Sequence, residues 1–206
     1  MRDTVIVFAR APRLGTVKRR LARGIGDRAA LRFHRETLIR LLRDLHRGQR
    51  FRVFLAIPPD GARDRLPVRT ARVPQGGGDI GQRMDRACRR HPRGNVAIIG
   101  SDIPDANAGD LRAAFQALGR HDAVFGPAAD GGYWLVALGP RRPRKPFLNA
   151  RWSTEHALAD TLRNFRGRAA AHLRVLRDVD TACDLPALPR RLPPRRPWTT
   201  VENETR

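Results

Sequence analysis

Asn95-Val-Ala-Ile-Ile-Gly-Ser-Asp-Ile-Pro-Asp105 decides how the rest of the chain is read. Val96 to Ile99 is apolar throughout and rich in β-branched side chains, and Gly100 closes the run. A strand covered on both faces of a parallel sheet has this pattern, because neither face needs polar residues. Ser101, Asp102, Pro104 and Asp105 follow at once. In an open α/β sheet, ligands bind outside the carboxyl ends of the strands. Asp102 therefore falls where a phosphate-bound divalent cation is held. The tetrapeptide alone equally allows Asp102 and Asp105 to be turn residues, or caps for a helix beginning near Asn107.

The chain has 206 residues, enough for one α/β domain with a real core. No apolar run reaches membrane-spanning length. The N-terminus, M-R-D-T-V-I-V-F-A, lacks the apolar stretch of a secretory signal and reads as a strand, so a cytoplasmic protein is expected. Cys88 and Cys183 form no metal motif, and a cytosolic chain keeps such thiols reduced.

The net charge of +21 raises nucleic acid as a partner. Two features argue against it. The basic residues are spread over the whole chain, and nearly all are Arg, with Lys18 and Lys145 the only lysines. That substitution is a mark of biased composition. No helix-turn-helix, zinc finger or aromatic RNA-binding signature accompanies the charge. Nucleic acid is not the expected partner, and Lys18 stands out in a chain that seldom uses lysine.

Thr4 to Ala9 reads as a first buried strand. Arg10 to Leu21, R-A-P-R-L-G-T-V-K-R-R-L, follows it; Pro12 and Gly15 force a loop, and a helix is expected from Thr16 or Val17. A strand, a basic Gly-containing loop and a helix start can hold phosphate through backbone N–H groups and the helix dipole. Lys18 and Arg20 add charge, although the Walker A spacing is missing. The bland alternative is an exposed basic loop.

Asp27 caps a long helix to about His46, whose Ala30, Phe33, His34, Thr37, Leu38, Leu41, Leu42 and Leu45 form one apolar stripe. His34 on its margin reads as packed, not catalytic. Phe51 to Ile57 is a second strand ended by Pro58-Pro59, and Val68 to Val73 a weaker third one near an edge. Gly76, Gly78 and Gly81 match the dinucleotide fingerprint, which makes a dinucleotide-binding protein an alternative. The fingerprint follows a short charged strand, however, and the glycines can instead let the loop close over a ligand. Asp79 suits an N-cap, with Ile80, Met84, Ala87 and Cys88 facing inward; Asp79 and Arg83 are either functional or a cap and surface charge.

Beyond Asp105, Leu111, Ala114, Phe115 and Leu118 mark a helix capped near Asn107. Ala123 to Gly126 and Tyr133 to Leu138 are strands joined by the tight turn Asp130-Gly131-Gly132. So short a turn implies antiparallel neighbours, and hence a mixed sheet. Arg141 to Pro146 is a basic loop. Trp152-Ser153-Thr154 introduces a helix with Ser153 or Thr154 as its cap. His172 to Leu176 is a candidate last strand, followed by D-V-D-T-A-C-D-L from Asp178 to Leu185. The chain thus divides into a domain over residues 1–188 and an irregular Pro/Arg-rich tail over 189–206.

Five segments together resemble one family: F-A-R-A-P-R-L-G-T-V-K-R-R-L, G-G-D-I-G-Q-R-M, I-I-G-S-D-I-P-D, G-P-A-A-D-G-G-Y-W-L and R-W-S-T. They look like the bacterial transferases associated with radical-SAM and selenodomain genes. That family is assigned to the nucleotide-diphosphosugar transferase (GT-A) superfamily and is often labelled a glycosyltransferase, sometimes of arsenosugar biosynthesis. The resemblance runs in order over residues 3 to 186. Arg19 stands where the family usually has threonine, and Ile103 replaces a frequent cysteine. The S-D-I-P and D-V-D-T-A-C-D-L segments are also similar to motifs of molybdenum-cofactor and phospholactate guanylyltransferases.

The resemblance implies a GT-A α/β fold, a mixed, mostly parallel sheet with helices on both faces. It implies that Ala9, Arg10, Gly15, Lys18, Arg20 and Ser101 hold nucleotide phosphates. Gly78, Asp79 and Arg83 then cover the nucleoside. Asp102 holds Mg2+ or Mn2+, and Asp180 is a second ligand by analogy with the guanylyltransferases. Asp130, Gly131, Gly132, Tyr133 and Trp152 face the sugar or acceptor, with Asp130 a candidate base. The expected function is a metal-dependent transferase using a nucleotide-diphosphosugar donor and a small-molecule acceptor. The runner-up is nucleotidyl transfer from a nucleoside triphosphate to a phosphorylated acceptor.

Overall fold

The computed structural model describes residues 3–47, 50–58 and 68–187. Seven strands form one sheet: β1 (Thr4–Phe8), β2 (Arg52–Ile57), β3 (Ala71–Pro74), β4 (Val96–Gly100), β5 (Ala123–Pro127), β6 (Tyr133–Leu138) and β7 (Ala170–His172). Their order across the sheet is β3-β2-β1-β4-β6-β5-β7, which puts β4 in the middle. β1 pairs in parallel with β2 and β4, while β6 runs antiparallel to both β4 and β5. The mixed, mostly parallel sheet expected from the Asp130 turn is therefore observed.

The inner strands are apolar on successive residues because both faces are covered. Val5, Val7, Val53, Leu55, Ala97 and Ile99 pack on one face. Against them lie α2 (Asp27–Arg47), through Leu38, Leu41, Leu42 and Leu45, and α4 (Ala108–Ala117), through Leu111, Ala114 and Phe115. Ile6, Phe8, Ile98, Phe125 and Val136 fill the other face, under Met84, Ala87 and Cys88 of α3 (Ile80–Arg89) and Leu158 and Leu162 of α5 (Ala157–Arg163). A third, small cluster joins Leu21 of α1 (Arg19–Ile25), Ala30 and Val179.

Four boundaries differ from the sequence reading. The first helix begins at Arg19, not at Thr16 or Val17, and Lys18 before it is left-handed, with φ 47° and ψ 45°. Nothing local encodes that: left-handed residues are usually Gly or Asn, and Lys18 is neither. α5 starts only after His156; Ser153 sits at φ 61°, and Thr154 closes a separate turn by donating to the Arg151 carbonyl. β3 is confined to Ala71–Pro74. The last strand is Ala170–His172, and the chain then touches the sheet again through a single bridge between Ala128 and Leu176. By contrast, Asp79 and Asn107 cap α3 and α4 with reciprocal side-chain bonds to Gln82 and Asp110, as their positions predicted. Pro59 and the tail over 189–206 lie outside the described residues.

Leu38 is fully buried and Leu14 is 55% exposed, so the two separate packing from residue type. Leu38→Ala should cost about 2–5 kcal/mol in urea unfolding. Leu14→Ala should stay within about 0.5 kcal/mol of the parent.

Candidate active site

Every strand but β6 points its carboxyl end to the same side of the sheet, and β6 starts there. The loops after β1, β4 and β5 and the segment after β7 therefore meet at one edge. This geometry brings together side chains distant in sequence. The Lys18 ammonium lies 3.0 Å from Asp102 Oδ2 and 2.8 Å from Asp180 Oδ1. Arg20 reaches the other Asp180 oxygen at 3.4 Å. Asp178 joins them: one oxygen each from Asp102, Asp178 and Asp180 can be chosen with all three within 4.8 Å of one another.

Packing beneath the charges fixes these positions. Val17 is buried just before Lys18. Val179 is 1% exposed against Leu21 and Ala30, which leaves its neighbours Asp178 and Asp180 at the rim. Arg174 binds both oxygens of Asp110, at 2.8 and 2.9 Å, and the Asp105 carbonyl at 2.8 Å. One guanidinium thus clamps the segment leading to Asp178 onto the loop that follows Asp102. Arg40 and Asp44 of α2 hold the same loop through the Pro104 carbonyl and the Ala108 amide.

The local charge balance follows. Burial alone would lower the Lys18 pKa; Asp102 and Asp180 outweigh it and raise it, so the ammonium stays charged. Asp178 is raised, first by burial and then by Asp180, Asp102 and Asp130, with Lys18 opposing. Burial lowers the His34 imidazole, which is 4% exposed and bonds the Arg10 carbonyl through Nε2 at 3.1 Å.

The remaining expected residues fall in several places. Ala9 is buried at the end of β1, and Ser101 is buried beside Asp102. The Asp79 carboxylate is engaged as the cap of α3 and Arg83 donates to the Gly78 carbonyl at 2.8 Å. Gly15 is exposed at φ 72°. Asp130 is exposed and accepts from the Gly132 amide at 2.9 Å. Gly131 is required twice over: its φ is 85°, and a Cβ there would stand 2.2 Å from the Glu155 carbonyl oxygen. Tyr133 packs edge-on against Phe125 and Trp152, its hydroxyl 3.5 Å from Thr161 Oγ1. The Trp152 ring covers Gly81, where a Cβ would come within 2.5 Å.

Three residues of this site escaped the sequence reading. Asp178 carried a usable signal, since it opens the same D-V-D run as Asp180. Gln75 carried none: its buried amide donates to the carbonyls of Ala9 and Ala56 and ties β1 to β2. Arg174 likewise stands in no motif.

The sequence profile of a family described as "Uncharacterized protein conserved in bacteria (DUF2064)" matches residues 41–154, more than half of the chain. No curated protein matches the sequence. Among solved structures, a candidate nucleotide-diphospho-sugar transferase from Desulfovibrio desulfuricans G20 is 28% identical, with 87% of this chain and 82% of that one covered at a TM-score of 0.80. The manganese complex of Rv0371c from Mycobacterium tuberculosis H37Rv is 18% identical over 91% and 97% of the two chains, with a TM-score of 0.54. The 4-diphosphocytidyl-2C-methyl-D-erythritol synthase of Anaerococcus prevotii DSM 20548 is 12% identical over 90% and 96%, at 0.57. At such identities the last two speak for the fold alone. The sheet order and these likenesses establish the GT-A fold that the motifs implied. Among the described residues no helix is long and apolar enough to cross a membrane.

The buried His34 gives a pH test. Its folded pKa lies below the unfolded value, so the unfolded chain takes up the proton first as pH falls. Its contribution is complete above about pH 6.5 and is lost on acidification. His34→Gln keeps an amide donor for Arg10; its stability should fall less steeply than the parent's as pH drops below about 6.5 in denaturant titrations.

Proposed function

The chain belongs to that bacterial family, DUF2064, and on this premise we propose that it is a transferase acting on an activated nucleotide. The donor is a nucleotide-diphosphosugar, the glycosyl group passes to a small-molecule acceptor, and nucleoside diphosphate leaves. One observation carries the reading: a buried lysine and three aspartates converge at the carboxyl end of the central strand.

The donor set suits a hard cation, because all three groups are carboxylates and such ions prefer oxygen. Asp102, Asp178 and Asp180 would hold Mg2+ or Mn2+, which when bound neutralises charge on the diphosphate. Lys18 and Arg20 bind the phosphate oxygens, the guanidinium being able to grip two at once. The Ala9 to Gly15 loop, with Arg10, and Ser101 line the same phosphates. Gly78, Asp79 and Arg83 border the nucleoside. Gly131, Gly132, Tyr133 and Trp152 border the sugar or acceptor. Asp130, exposed on its turn, takes the proton from the acceptor hydroxyl. Arg174 and His34 touch none of the reacting groups; they orient the loops that carry them.

Nucleotidyl transfer is the second reading. A phosphorylated acceptor then attacks the α-phosphorus of a nucleoside triphosphate, and pyrophosphate leaves. The nearness of Asp180 to Asp102 favours it, since the guanylyltransferase-like motif implied that pair.

A thermal-shift panel of sugar nucleotides and nucleoside triphosphates, with and without Mn2+, separates the two. At a hundredfold excess over Kd the right donor should raise Tm by roughly 5–10 °C. The manganese-dependent part should vanish in Asp102→Asn. A response to triphosphates alone selects the second reading, and no response to any nucleotide contradicts both.

A further inference from the structure

Resting on the transferase reading, we propose that Lys18 is a resident counter-ion: its ammonium fills the cation position among the aspartates, and its release couples metal entry to capture of the donor diphosphate. The Lys18 side chain is 8% exposed, and its Nζ stands 3.0 Å from Asp102 and 2.8 Å from Asp180. These are two of the three carboxylates that lie close enough together to share one ion. A hard divalent cation needs oxygens of the same carboxylates at about 2.0–2.6 Å. Ammonium and metal would compete for these groups and repel each other, so one must leave for the other to enter.

The backbone at Lys18 is also unusual, with φ 47° and ψ 45°. Left-handed geometry at a lysine persists only where its surroundings over-determine it. Those surroundings include the two ion pairs and the buried Val17. Residue type matters as well. Of 41 basic residues only Lys18 and Lys145 are lysines. A guanidinium would grip the carboxylates as a rigid fork, whereas an ammonium is a compact charge that can be exchanged for another cation.

Release needs a new acceptor. Arg20, which reaches Asp180 at 3.4 Å, offers none, and the carboxylates nearby are those the metal would take. Diphosphate oxygens supply one. Metal alone must therefore displace Lys18 uncompensated, while metal with a diphosphate lets the ammonium move from carboxylate to phosphate. Each ligand then strengthens the other, as linkage requires.

The test is Mn2+ binding to the full chain, read by electron paramagnetic resonance without nucleotide. Lys18→Met should bind Mn2+ about tenfold more tightly than the parent, a usual size for coupled sites. Equal or weaker binding overturns the inference. Adding Asp102→Asn should abolish the gain; Mn2+ binding that survives Asp102→Asn in both backgrounds refutes the transferase site and the inference with it. If Lys18→Met does not fold, acetylation of the parent chain decides, with exposed Lys145 as internal reference. Mg2+ alone should raise labelling of Lys18 relative to Lys145, and Mg2+ with inorganic pyrophosphate should lower it again. Labelling of Lys18 that ignores Mg2+ overturns the inference.

Discussion

The ammonium of Lys18, seated between Asp102 and Asp180, is the contact on which the site depends. It joins the loop after the first strand, the exit of the central strand and the segment after the last strand. An ion pair this sheltered is not free stabilisation, since desolvation can cancel its Coulombic gain. Its worth lies in position. Loss of Lys18 would leave the carboxylates of Asp102, Asp178 and Asp180 facing one another as like charges, so the ammonium favours the arrangement in which the three segments meet. Apolar anchors supply the energy: Val17 and Val179 are buried beside the charged residues, and the sheet behind them is covered on both faces.

Around this contact the polar side chains mostly brace loops. His34 holds the Arg10 carbonyl, Gln75 ties the ends of β1 and β2, and Arg174 links the Asp105–Asp110 loop to the strand end before Asp178. Asp160 does the same on the other face, where it binds the Arg151 backbone and side chain and steadies the turn bearing Trp152. Arg151 holds the Asp160 carboxyl well below its usual range. The exposed Arg10, Arg19 and Arg20, set in a chain of net charge +21, would draw the proposed phosphorylated donor toward the same edge.

The sheet was legible in the sequence because its signals are local. The unbroken apolar run before Gly100, the tight turn at Asp130 and the caps Asp79 and Asn107 each state their own structure. Asp102 was placed by that strand, and its meeting with Lys18 and Asp180 was anticipated only through family motifs. What stayed hidden is non-local. Nothing near Lys18 encodes a left-handed backbone, and its side chain meets carboxylates that the fold alone brings near. Asp178 shares a D-V-D run with Asp180, but its segment has no strand or helix period, and the burial of Val179 shows how it is presented. Gln75 and Arg174 act on carbonyls and carboxylates that the fold alone brings near.

The central claim is that Asp102, Asp178 and Asp180 form one cation site beside a diphosphate. Anomalous diffraction at the manganese edge, from crystals soaked with Mn2+ and a nucleoside diphosphate, tests it most directly. The account predicts a single strong peak among the three carboxylates, with phosphate oxygens on it and the Lys18 ammonium turned onto the phosphate. A peak elsewhere, or a nucleotide bound away from Asp102 with Lys18 still on its aspartates, would contradict it.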